Sequence, residues 1–72
     1  MKLIEYEGKR VKILSVNGNL YTGTVGDYCY PEDNENGLEM IVLDVETKNG
    51  EHVDQAIGFY GNEIKFIEVV VE

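Results

Sequence analysis

From position 10 onward, apolar and polar residues alternate with a period of two along most of the chain, interrupted at short intervals by Gly and Asn. That period is the spacing of a β-strand with one face buried. In RVKILSV (10–16), Val11 and Ile13 share one face, while Lys12, Leu14 and Val16 share the other. LYTGTVGDYCY (20–30) puts Tyr21, Gly23 and Val25 together, and Gly23 and Gly26 predict a bulge or sharp bend inside the run. LEMIVLDVET (38–47) is more continuously apolar and predicts a central strand covered on both faces. HVDQAIGFY (52–60) and EIKFIEVVV (63–71) complete five strands.

Between these runs lie Asn17-Gly18-Asn19, the polar stretch from Pro31 to Gly37, Lys48-Asn49-Gly50 and Gly61-Asn62. The Asn-Gly pairs at 17–18 and 49–50 predict type I′ hairpin turns, in which both central residues need φ > 0. The lead-in 1–8 reads equally as a short helical turn or as extended chain. Five short strands, bent at glycines and carrying one long polar connection, predict an all-β fold. The expectation is one domain over 1–72, a small, strongly bent, five-stranded antiparallel barrel.

Composition narrows the setting. A chain of 72 residues buries only about 60% of the surface its unfolded form exposes, so a disulfide, a metal or self-association is the usual supplement. Cys29 is the sole cysteine and His52 the sole histidine, which removes an internal disulfide, gives a metal site poor support and adds weight to a homo-oligomer, with idealised packing as the alternative supplement. The lone thiol also suits a reducing compartment. Neither a secretory leader in MKLIEYEGKR nor a run of roughly 18 uncharged apolar residues is evident, so a cytoplasmic location without membrane contact is expected. A net charge of −8 with 43% apolar residues describes an acidic chain that folds rather than a disordered one.

Two segments together resemble the Sm-like family. GKRVKILSVNGNLYTGTV (8–25) is similar to its first motif through Val11, Ile13, Asn17, Gly18, Tyr21, Gly23 and Val25. FYGNEIKFI (59–67) resembles the second motif through Phe59, Gly61, Ile64 and Ile67, with Tyr60 where arginine is usual. A loop with DY, EDNE and Gly, followed by an EIK ending, looks like that of small bacterial members. The resemblance implies an Sm-like (SH3-like) barrel whose fourth and fifth strands are joined by one helical turn or less, with Gly61 permitting the corner through positive φ or close backbone approach. It also implies a homo-oligomeric ring with its interface on those strands, here Phe59, Ile64, Phe66, Ile67 and Val69. The RNA-facing positions it implies are Tyr28, Asn36 (or Asn34), Tyr60, Gly61 and Asn62, with Cys29 where aspartate is usual.

Charge argues against RNA. Binding a single strand takes stacking surfaces and cations that replace condensed counterions. Tyr28, Tyr30 and Tyr60 supply rings, but Glu32, Asp33, Glu35 and Glu39 crowd the same loop. The one basic cluster, Lys9, Arg10 and Lys12, belongs to the first strand. Calcium is no better served. Aligning Gly37 with the glycine of an EF-hand loop puts Glu32, Asn34 and Asn36 at ligand positions but Leu43 where a bidentate Glu is needed. Ser15, Cys29 and His52 are the only serine, thiol and imidazole, so no enzyme and no cofactor are expected. Two functions stay open: an RNA-associated Sm-like oligomer, and an acidic module that binds protein without nucleic acid.

Overall fold

The computed structural model describes residues 2–71. A 3₁₀ turn at Leu3–Tyr6 precedes β1 (Arg10–Ser15), β2 (Leu20–Cys29), β3 (Met40–Lys48), β4 (Glu51–Tyr60) and β5 (Ile64–Val69). Two more 3₁₀ turns, Pro31–Asp33 and Gly61–Glu63, lie in the β2–β3 and β4–β5 connections. All strand pairs are antiparallel, in one sheet ordered β4-β3-β2-β1-β5. The five expected strands and the all-β class hold.

Period two also fixes the buried face. β1 turns Val11 and Ile13 inward, β2 Tyr21 and Val25, and β3 Ile41, Leu43 and Val45. β3 therefore alternates, and the expectation that it is covered on both faces is corrected: Asp44 is exposed and Val42 half-buried. Phe59 of β4, Ile64 of β5 and Leu3 of the first 3₁₀ turn complete the core, with Tyr21 and Phe59 packed edge to face at 5.1 Å. The lead-in is thus a helical turn that plugs one end of the core with Leu3. Gly8 (φ +78°) redirects the chain into β1 while its N–H donates to the Val25 carbonyl at 2.8 Å.

Bulges curl the sheet. Gly26 is the extra residue where the β2–β3 register slips between Val25 and Asp27, and a second slip falls at Thr22/Gly23. Further slips occur at Val45/Thr47 opposite β4 and at Leu14/Ser15 opposite β5. Each bends the bulged strand and strengthens its twist, as the glycines of β2 predict.

The expected closed barrel is not what forms. β4 and β5 are the two edges of the ladder and do not pair with each other. Their connection, the single turn Gly61–Glu63, sends the chain across the open side instead of back along β4, so the pair is no hairpin. Inner positions of β4 consequently stay incompletely covered, and Val53 and Ile57 are only half-buried. Two turn expectations also change. Asn49 and Gly50 both have φ > 0, as a type I′ turn requires, whereas in the 17–18 pair only Gly18 does. Asn17 instead accepts hydrogen bonds from the Ser15 hydroxyl and, at 3.2 Å, from the Asn19 N–H. Gly61 has neither positive φ nor a crowding backbone neighbour, so its expected role at the corner is corrected. The turn there is ordinary right-handed 3₁₀ chain.

Candidate functional site

The end of β2, the start of β3 and the end of β4 meet at one rim of the sheet. Register sets this: Tyr28 lies opposite Ile41, Cys29 opposite Met40, and Met40 opposite Tyr60. Tyr28 and the Tyr60-Gly61-Asn62 segment, far apart in the chain, therefore flank the same connection, residues 30–39.

Glu39 is the hub of this rim. One carboxylate oxygen, Oε1, accepts the Leu3 N–H at 2.9 Å and the Tyr28 hydroxyl at 3.0 Å. The Glu39 carbonyl accepts the Gly61 N–H at 3.0 Å. One residue thereby ties the N-terminal turn, β2 and the β4–β5 corner together. Sequence reasoning counted Glu39 only as loop charge, and no local pattern marks a carboxylate whose partners lie 11 and 36 residues away. Partial burial, then the hydrogen bond to Glu39 and its negative charge, push the Tyr28 phenol above its ordinary pKa of 10.0. Tyr30 stands against Tyr28 edge to face, with ring centroids 5.0 Å apart and planes at 87°, and is 48% exposed.

The connection is held by its own polar groups. Pro31–Asp33 forms a 3₁₀ turn. Asn34 Nδ2 donates to the Leu38 carbonyl at 2.7 Å, and Asn36 Oδ1 accepts the Leu38 N–H at 3.1 Å. Gly37 (φ +69°) makes the reversal between them. Asn36 and Asn34 thus serve the loop itself. A shallow groove runs beside them, lined by Pro31, Gly37, Leu38, Glu39, Gly61 and Asn62. Tyr60 is half-buried, with its N–H donating to the Glu63 carboxylate at 2.9 Å, and Asn62 is exposed.

Of the expected interface side chains, Phe59 and Ile64 lie in the chain's own core, at 4% and 6% exposure, because both face inward on their strands. Ile67 packs half-buried against that core, and only Phe66 and Val69 are exposed. Two members of the basic cluster are engaged on β1, where Arg10 pairs with Glu46 at 2.8 Å and Lys12 approaches Glu68 at 3.6 Å. His52 is exposed and Cys29 half-buried. Among the described residues no group of three or more His, Cys, Asp or Glu side chains is placed to hold a metal ion, and no helix is long and apolar enough to cross a membrane.

Comparison with models of protein families, with curated proteins and with solved structures gave no match.

Proposed function

We propose that this chain is a cytoplasmic Sm-like module that assembles into a homo-oligomeric ring through its two edge strands and uses the 30–39 rim to hold a basic segment of a partner protein. The observation that carries the assembly is the open ladder with β4 and β5 at its edges. Unpaired edge strands ending in FIEVVV are an association hazard unless something pairs with them. A second copy offering β5 to β4 would pair the backbone groups of both edges and continue the sheet from one copy to the next.

The basic-partner reading rests on Glu39. Tyr28 is already bonded to its carboxylate, and Glu32, Asp33 and Glu35 stand on the same connection. A phosphate approaching these groups meets like charge, while a lysine- or arginine-rich segment meets the opposite one.

RNA binding is the second reading. It is favoured by the grouping of Tyr28, Tyr30 and Tyr60 at one rim. Light scattering tests the assembly: five to seven copies are expected, and a monomer removes the ring. Titration with oligo-U and oligo-A, and separately with a basic peptide, at low salt separates the two ligands.

A further inference from the structure

We propose that Tyr28, Tyr30 and Glu39 form a receptor for a single lysine side chain of a docked protein segment. The inference rests on the reading of the rim as a basic-protein contact and names the group recognised there. Aromatic faces carry negative quadrupole charge and attract ammonium groups, most strongly where a carboxylate stands beside them. Two tyrosine rings at 87° with centroids 5.0 Å apart supply such faces, and Tyr30 is half open to solvent.

The carboxylate decides between lysine and arginine. Glu39 Oε1 already takes two donors, the Leu3 N–H and the Tyr28 hydroxyl. Oε2 has no partner among the described residues and borders Gly61, where a Cβ would stand 3.9 Å from it. One unoccupied oxygen matches a compact ammonium, whereas a guanidinium gains most from a carboxylate offering both oxygens. The groove beside Glu39 has Pro31 and Leu38 in its walls, apolar surface along which a four-carbon lysine stem can lie.

The test uses tetralysine, tetra-arginine and tetralysine acetylated on every side chain, titrated into the ¹⁵N-labelled chain. Tetralysine is expected to bind best, to shift the amides of residues 28–39 and 61–62, and to lose affinity on acetylation. Glu39→Gln keeps an acceptor for Leu3 and Tyr28 while removing the charge, and is expected to weaken tetralysine about tenfold. Tyr30→Leu, at an exposed ring, is expected to weaken it about threefold. Undiminished binding by Glu39→Gln, shifts gathered elsewhere, or a preference for tetra-arginine overturns the receptor while leaving a basic-protein contact standing. Failure of both unmodified peptides to bind overturns both readings, and oligo-U binding at these same amides replaces them with RNA.

Discussion

Gly23 runs so close to the backbone of Asp44 that a Cβ built on it would lie 2.2 Å from the Asp44 carbonyl oxygen and 3.0 Å from the Val45 Cα. Neither atom can move without shifting β3. Gly23→Ala is therefore expected to destabilise the chain by about 3 kcal/mol, the upper range for overpacking. Three positions on, a Cβ at Gly26 would meet the Asp44 carboxylate tip at 3.0 Å, and that tip swings away. Gly26→Ala should stay within about 1 kcal/mol. Urea midpoints compare the two, and equal losses would show that close backbone approach is not what reserves position 23 for glycine.

Removing the Glu39 carboxylate unties the rim. Glu39→Ala leaves the Leu3 N–H and the Tyr28 hydroxyl without their acceptor, at about 1–3 kcal/mol for a buried group left unpaired. Glu39→Gln should recover most of that stability. Denaturation of both variants checks this, along with the amide exchange rate of Leu3, which should rise in the alanine variant alone.

The raised pKa of Tyr28 has a definite pH signature. Above pH 10 the unfolded chain releases this proton while the folded chain retains it, so the folded state binds more protons and stability falls as pH rises. The contribution is complete below pH 10 and is lost on passing upward through the folded-state value. Thermal melts from pH 9 to 11.5 should show a shallower alkaline decline for Tyr28→Phe than for the native chain; parallel curves would contradict the assignment.

Asn49 sits at φ +53° and clasps two strands, accepting the Leu20 N–H at 2.8 Å and donating to Asn19 Oδ1 at 3.1 Å. Asn49→Ala loses both bonds and leaves at positive φ a residue without the short polar side chain that eases this left-handed strain, a loss of about 2 kcal/mol. Asn49→Gly relieves the strain alone and should fall between alanine and native. Midpoints in urea order the three.

Tyr60 occupies the position where the resembling family carries arginine. If the rim faces a pore of the usual geometry, Tyr60→Arg should create or strengthen oligo-U binding in a fluorescence titration. An unchanged signal would count against that geometry.

The alternation of Val11 and Ile13, and of Tyr21 and Val25, carried the strands, their buried face and the bends at Gly23 and Gly26, because strand periodicity and backbone crowding are encoded residue by residue. Asn49-Gly50 announced its turn in the same local way. Asn17-Gly18 did not, since the Ser15 hydroxyl and Asn19 amide draw Asn17 into a different loop. The continuous run 38–47 hid its alternation because Val42, half-exposed, looks like core in a list of residues. At the rim, Tyr28 and Tyr60–Asn62 were legible, whereas Glu39 was not: its partners lie on the N-terminal turn, β2 and the β4–β5 corner.

The sequence by itself determined five strands, the apolar faces of β1 and β2, and an excess of acid in the β2–β3 connection. Only the tertiary structure decided that the ladder stops short of closing, that Phe59 and Ile64 belong to the core, and that Glu39 joins three distant segments. The physical reason is one of range. Side-chain alternation and turn preferences act between neighbours in the chain, while edge pairing and shared hydrogen-bond acceptors depend on register slips summed over several strands.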